Sequence, residues 1–391
     1  MRQRKMMIRL NDGEYRKLRA AAAKASLSLA TWARMSLMES STPESKLLCA
    51  ESSKNGKRPD GPTLLSLFSG PGGLDEGFRQ AGFNTALALD LDEECVRTFN
   101  ANHTSTSPIA YQRDVQKLSL ADIDVLAGGP LAPVGVIGGP PCQSFSVSNV
   151  HQAETDPRRD LALAYAHLLA NMNQRTPLSF FVFENVPGLM GTKHRERYLL
   201  FKRSFRKAGF ELYERVLDAS EYGVPQYRER VIIVGINRTV HPAAIWEWPP
   251  VEAIRKTVRD AIGNLPPPIL NARAVDPKTI PLHPNHWCMV PKSKKFSTPG
   301  ALKNGESWGR SFRTLSWDRP SWTVAYGNRE VHIHPGGRRR LSIYEAMLLQ
   351  SFPTHYVMTG NISAQSRLVS EAVPPRFAWH IASAIRRSLS I

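Results

Sequence analysis

The sequence predicts an α/β fold built on a mainly parallel sheet, and three observations carry the prediction. From Thr63 onward, strand and helix signals alternate along the chain. The first of these strands runs into a glycine turn, Gly70-Pro71-Gly72-Gly73, that opens a helix. Chemistry-bearing residues also stand where apolar strands end, among them Asp90, Cys142 and Glu184. With 391 residues, the chain exceeds one ordinary domain, so a main body with smaller appendages is expected. Hydrophobic residues at 42% and charged residues at 22% exclude a disordered, collagen-like or coiled-coil chain. No stretch approaches the roughly 20 apolar residues of a membrane span, and Met1–Tyr15 lacks the apolar core of a secretory signal. The formal charge of +17 favours a polyanionic partner, nucleic acid first. The four cysteines (Cys49, Cys95, Cys142, Cys288) contain no CxxC pair, which leaves neither a disulfide framework nor a zinc site to read and suggests a reduced, intracellular protein.

The first segment stands apart from the rest. Arg4–Leu10 alternates, with Met6, Ile8 and Leu10 on one face and Lys5, Met7 and Arg9 on the other. Asn11 and Glu14 form a capping-box-like start for a helix striped by Tyr15, Leu18, Ala22 and Ala25. Ser28 can cap a second helix bearing Leu29, Trp32, Ala33 and Leu37. This strand–helix–helix pattern resembles the ribbon-helix-helix family, small dimers whose paired strands enter the DNA major groove. The resemblance implies a DNA-binding and dimerisation arm over residues 1–40, with Lys5 and Arg9 facing DNA and a homodimer formed through the arm. Residues 1–60 carry 13 Lys/Arg against 6 Asp/Glu, which suits that reading; the alternative is a helical hairpin packed on the body. Residues 41–62, rich in Ser, Lys, Pro and Gly, read as a linker.

The body then unfolds in order. Thr63–Phe68 is a strand, Leu74–Ala81 a helix, Thr85–Leu89 a strand and Glu93–Asn102 a helix. Further strands are expected near Val134–Ile137, Phe180–Phe183 and Val231–Ile236. From His241 to Gly309 the alternation dissolves into a separate irregular segment, and periodic helices return at Ile343–Gln350 and Arg376–Ser388.

The glycine turn invites a ligand to the backbone and to the free N–H groups of the helix start. Asp75 stands where a dinucleotide fingerprint needs its third glycine, so dinucleotide binding is disfavoured. Asp90, about twenty residues on, suits ribose hydroxyls, and Asp114 falls near the end of a third strand, while Asp92 and Cys95 read as structural. The sharper signal is Gly138-Gly139-Pro140-Pro141-Cys142-Gln143-Ser144-Phe145-Ser146, where an apolar strand delivers a cysteine on a rigid turn. Glu184-Asn185-Val186-Pro187-Gly188 puts a carboxylate at the same edge, and Gln226-Tyr227-Arg228-Glu229-Arg230 brings arginines to it.

From about Pro62 to the C-terminus the chain resembles the DNA (cytosine-5) methyltransferases. The resemblance rests on the blocks LFSGPGG, GGPPCQSFS, FENVPGL, QYRER and VPPRFAWHIA, in that order and spacing, and on Arg313–Pro335. It implies a Rossmann-like, S-adenosylmethionine-dependent catalytic domain over 63–240 and 325–391, with a small irregular target-recognition domain over 241–324. S-adenosyl-L-methionine would be the donor, without a metal, and cytosine in double-stranded DNA the acceptor. By position, Cys142 matches the nucleophile that adds to cytosine C6, and Glu184 the carboxylate that pairs with the N3/N4 edge. Arg228 matches an arginine that orients the base near O2, with Arg230 as its support. The donor would be held by Phe68, Gly70, Gly72, Gly73, Asp90, Asp114 and Pro140. Gln143, Ser146 and His286 are expected at the DNA, and the stretch after Cys142 through Asp160 resembles a loop that closes over the flipped base. A bacterial, nucleoid-associated modification enzyme of this kind would work in the cytoplasm beside a restriction endonuclease. Two other readings remain open: a DNA-binding regulator with a degenerate body, and an RNA cytosine-5 methyltransferase.

Two features depart from the family pattern. Asp124–Pro130 already looks like the strand into the Pro-Cys turn, and ten residues later Gly138-Gly139-Pro140 repeats its ending; of the two, Val134–Ile137 is expected to fill the sheet. Ser370 and Glu371 stand where the family carries Gly-Asn, and the added charge is expected to weaken donor binding.

Overall fold

The computed structural model describes residues 61–103, 107–141, 161–271, 276–308, 312–323 and 332–391. The N-terminal arm with Lys5 and Arg9, the linker up to residue 60, and 142–160 with Cys142, Gln143 and Ser146 lie outside the described residues.

In chain order the main elements are β1 (Thr63–Leu67), α1 (Gly73–Gln80), β2 (Asn84–Asp90), α2 (Glu93–His103), β3 (Ala110–Gln112), α3 (Leu120–Ala127), β4 (Gly135–Gly138), α4 (Leu161–Arg175), β5 (Phe180–Asn185), α5 (Arg195–Lys207), β6 (Glu211–Asp218) and β7 (Glu229–Ile236). The second half adds α6 (Val258–Ile262), β8 (Ile269–Asn271), β9 (Trp287–Met289), β10 (Ser307–Trp308), β11 (Phe312–Arg313), α7 (Ile343–Leu349), α8 (Ile362–Glu371) and α9 (Pro375–Leu389).

Seven strands form one sheet in the order β3-β2-β1-β4-β5-β7-β6. β7 runs antiparallel to both β5 and β6, whereas the pairs from β3 to β5 are parallel. Both faces are covered, and the period-2 alternation of the strands decides which residue meets which layer. Leu65, Leu67, Phe181, Phe183, Val231 and Ile233 pack on the side of α4 and α5, with Tyr165, Phe201 and Phe205. Leu64, Phe180, Val182, Ile232 and Val234 pack on the other, against Phe78 of α1 and Phe377, Ile381 and Ile385 of α9. Burial on both faces explains why these strands read as continuous apolar runs. The order reverses between β1 and β4, so the crevice beyond the carboxyl ends of β1, β2, β4 and β5 is where a ligand site forms.

The ambiguous stretch near residue 124 resolves in favour of the expected strand. Asp124–Ala127 closes α3, which starts in a capping box between Ser119 and Asp122 and ends at Gly128 with φ 75°. Asp124 then accepts the N–H of Leu131 and an arm of Arg175, which ties the following loop to α4 and lets Gly135–Gly138 take the sheet position beside β1.

The irregular second half is less separate than its composition suggests. Val258 and Ile262 of α6 and Leu315 share one core with α7, α8 and Cys95 of α2. This half also carries two small sheets, β8 with β9 and β10 with β11. Among the described residues no helix is long and apolar enough to cross a membrane, and no group of three or more His, Cys, Asp or Glu is placed to hold a metal.

Candidate active site

β1 delivers the chain to the crevice through Phe68, whose φ of 52° is unusual for a bulky residue and marks a forced turn. Gly72 follows at φ 92° as the residue capping α1. A Cβ on Gly72 would lie 2.7 Å from the Tyr356 hydroxyl and 2.8 Å from His103 Nε2, and one on Gly73 would lie 2.2 Å from the Val373 carbonyl oxygen. Both glycines are therefore required by the protein's packing against itself. Gly70, with φ 55°, faces open space, and of the three it alone offers the ligand approach expected from the sequence.

Asp90 ends β2 directly beneath that open face. Its Oδ2 accepts the Gly70 N–H at 2.8 Å and its Oδ1 accepts the Asp92 N–H at 2.9 Å. Burial raises its pKa, and the two N–H groups pull it back. The Tyr356 hydroxyl donates to the Pro71 carbonyl and meets His103 Nε2 at 3.0 Å, which clamps the turn from α2 and the C-terminal region. Burial lowers the His103 pKa to about 4, so its ring is neutral near pH 7. Under the turn, Asp75 accepts from Ser66 Oγ at 2.9 Å and Thr85 Oγ1 at 2.7 Å, and burial lifts its pKa to about 6. Asp114 caps the short turn after β3, accepting from the Gln116 N–H at 3.1 Å. The Asp90 carboxylate, the open Gly70 face and the buried Ser69 hydroxyl, which has no partner among the described residues, suit a nucleoside-bearing ligand at the switch point.

The neighbouring edge holds the second half of the site. β4 ends in Gly138, and Gly139 lies so close to β5 that a Cβ would come within 2.6 Å of Glu184 Oε2. Asn185 Nδ2 donates to the Pro140 carbonyl at 3.1 Å, fixing the Pro-Pro turn on the end of β5. Glu184, itself 8% exposed, pairs through Oε1 with Arg230 Nε of β7 at 2.8 Å. Beside Arg230 opens a cavity of about 430 Å³ lined by Pro187, Asp218, Tyr227, Glu229 and Thr323.

The two arginines of the QYRER block have different partners. Arg228 is 1% exposed and donates from Nη2 to the Ala372 carbonyl at 3.0 Å, joining the start of β7 to the chain between α8 and α9. Residues 228 and 230 share a face by strand alternation, and Arg230 is the one that reaches Glu184, whose backbone faces Ile232. His286 is placed differently from expectation. It is 2% exposed, with Nδ1 at 3.0 Å from Ser342 Oγ and Nε2 at 2.9 Å from the Pro266 carbonyl, an interior position where a surface reader was expected. His283, Asn285 and Trp287 are buried beside it. Glu371 is not an isolated charge, since Arg367 Nη1 meets it at 3.3 Å. Asn185, Tyr356 and His103 belong to the site's framework and were not anticipated as such. Asn185 lies inside a recognised block, but nothing in the order of residues signals that Tyr356 meets Pro71.

Residues 63–387 match the model of the C-5 cytosine-specific DNA methylase family. The chain belongs to that family. The methylase is 32% identical over 352 residues to the Type II methyltransferase M.MthTI of Methanothermobacter thermautotrophicus, an alignment covering 83% of this chain and 97% of the relative. It is 29% identical to the Type II methyltransferase M.FnuDI of Fusobacterium nucleatum, over 84% of this chain and 95% of that protein. In fold it is similar to a structure from Escherichia coli described as a prophage-encoded DNA modification methyltransferase, with a TM-score of 0.70 at 22% identity, covering 85% of this chain and all of the other. The methylase is thus a DNA cytosine-5 methyltransferase with a Rossmann-like catalytic fold.

Proposed function

We propose that the methylase transfers a methyl group from S-adenosyl-L-methionine to C5 of a flipped-out cytosine in a specific double-stranded DNA sequence, through a transient bond from Cys142 to C6. The observation that carries this reading is the Glu184–Arg230 pair, held at 2.8 Å on the strand edge to which Asn185 ties the Pro140 carbonyl. Two residues beyond that docked carbonyl, the chain reaches Cys142.

Cytosine C5 is too poor a nucleophile to be methylated unaided. A thiolate adding at C6 pushes electron density to C5, which is covalent catalysis. Glu184 suits the N3/N4 edge of the base and favours protonation at N3. Arg230 fixes the Glu184 carboxylate and offers its remaining guanidinium donors towards O2; Arg228 supports the framework from behind. A free thiol ionises near pH 8.5, so Cys142 needs local activation to act near neutrality. Extruding the base costs a few kcal/mol of pairing and stacking. Asp90, the Gly70 face and Ser69 would hold the donor, with Phe68, Gly72, Gly73 and Pro140 shaping the walls and Asp114 near the adenine amino group. When bound, S-adenosyl-L-methionine supplies an electrophilic methyl on a sulfonium. Elimination of the cysteine and loss of the C5 proton then release 5-methylcytosine.

Residues 241–324 are the natural place for target recognition, with exposed side chains other than His286 as readers and with Gln143 and Ser146 near the flipped base. Residues 1–40 would add a dimeric DNA-binding arm through Lys5 and Arg9, allowing the methylase to bind its own promoter, and a restriction endonuclease would be the partner of the pair. Incubation with labelled donor and mixed-sequence DNA should place label on cytosine C5, and Cys142→Ser should abolish it; persistent transfer by that variant refutes the role of Cys142. Deleting residues 1–60 should spare methylation and remove promoter binding, and loss of methylation instead would refute the separate arm.

A further inference from the structure

α8 carries Arg367 four residues before its terminal Glu371, and this guanidinium reaches across to the head of α2. Its Nη2 meets Asp92 Oδ2 at 2.7 Å, while Nη1 meets Glu371 at 3.3 Å. The other oxygen of Asp92 accepts the N–H groups of Glu94 at 2.8 Å and Cys95 at 3.3 Å, which starts α2. The Asp92 N–H in turn donates to Asp90 Oδ1 at 2.9 Å, and Asp90 Oδ2 accepts from Gly70 at 2.8 Å. A cation on α8 is thus joined by consecutive contacts to the open face of the glycine turn.

The arrangement also carries an electrostatic burden. Asp90, Asp92 and Glu371 repel one another across this corner, and Arg367 is the counter-charge in contact with two of the three. Without it, Asp92 would be driven away from Asp90, and the N–H that orients Asp90 would move with it. We infer that Arg367 is a positioning residue for the methyl donor, holding Asp90 in its binding orientation through Asp92. Glu371, where the family carries an amide, orients Arg367 as its partner one helical turn away. The inference rests on the reading that the donor binds at Asp90.

The test is calorimetric titration of the full chain with S-adenosyl-L-methionine, alongside DNA affinity, melting temperature, and donor KM and kcat. Arg367→Ala should weaken donor affinity about tenfold and raise donor KM to match, with kcat at saturating donor and DNA affinity unchanged. Arg367→Lys should restore most of the affinity. Asp92→Asn, which keeps a side chain that caps helices well and removes the charge that repels Asp90, should bind the donor nearly as the wild type does, and the double variant Arg367→Ala/Asp92→Asn should recover most of the affinity that Arg367→Ala loses. If Asp90→Ala loses the donor while Arg367→Ala binds it as the wild type does, the inference is overturned and the donor site stands. If the wild type binds no donor, or Asp90→Ala binds it undiminished, the reading of the site itself is overturned. Parallel loss of donor affinity, DNA affinity and melting temperature in both Arg367→Ala and Asp92→Asn would also overturn it, as general structural damage.

Discussion

Asp75→Asn isolates a single buried charge in the framework of the glycine turn. Asp75 is 1% exposed and burial raises its pKa from 3.8 to about 6, against the lowering effect of the Thr85 and Ser66 hydroxyls. A folded-state pKa above the unfolded value means that the native state binds this proton more tightly. The group therefore favours folding most below about pH 4, and that contribution is lost as pH rises towards 6. About two pKa units at roughly 1.4 kcal/mol each give a loss of about 3 kcal/mol, complete about one pH unit above the folded pKa. Asparagine cannot ionise; its amide can accept from one hydroxyl and donate to the other, so the variant escapes this loss. The stability of Asp75→Asn minus that of the wild type should therefore climb by about 2 kcal/mol between pH 4 and 6.5. Urea unfolding of both proteins across that range measures it. The buried histidines titrate in the same window with the opposite sign, but they are common to both proteins and cancel in the difference. A difference that stays flat across the range would refute the argument.

Further outcomes follow from the same geometry. Arg230→Ala should lower kcat by about 10²-fold or more, since it leaves Glu184 without its partner and, in the proposed mechanism, removes a donor to the base. Arg228→Ala should act on the fold instead, lowering stability by about 3 kcal/mol in chemical denaturation as a buried charged donor to Ala372 is lost. His103 has a folded pKa of about 4 against 6.5, so its contribution is full above pH 6.5 and is lost as pH falls towards 4; His103→Asn should flatten the acid limb of the stability profile by up to about 3 kcal/mol. Tyr356→Phe removes the hydroxyl shared by Pro71 and His103 and should destabilise the protein by about 1–2 kcal/mol in the same assay.

The apolar runs of β1, β2, β4, β5 and β7 were legible because strands buried on both faces leave no polar interruptions. The edge strand β6 and the helices α3, α4, α5 and α8 went unread. β6 is half exposed, so its residues follow no single-face rule. The three strand-end blocks were legible as chemistry because a Pro-Pro turn before a cysteine, a carboxylate ending a strand and paired arginines have little structural purpose apart from one another.

The chain alone determined the family, the sheet, and the types of residue at its carboxyl edge, all of which follow from local pattern and from spacing between blocks. Only the tertiary structure decided which arginine meets Glu184, that His286 is interior, that Gly72 and Gly73 serve packing, and that Glu371 and Asp92 are both answered by Arg367. These depend on contacts between distant parts of the chain, such as Glu184 with Arg230, 46 positions apart, or Gly72 with Tyr356, 284 apart. Local pattern reports only the side of an element on which a residue stands. Which distant group it meets there is fixed when the sheet, its helices and the C-terminal segment close together around one core.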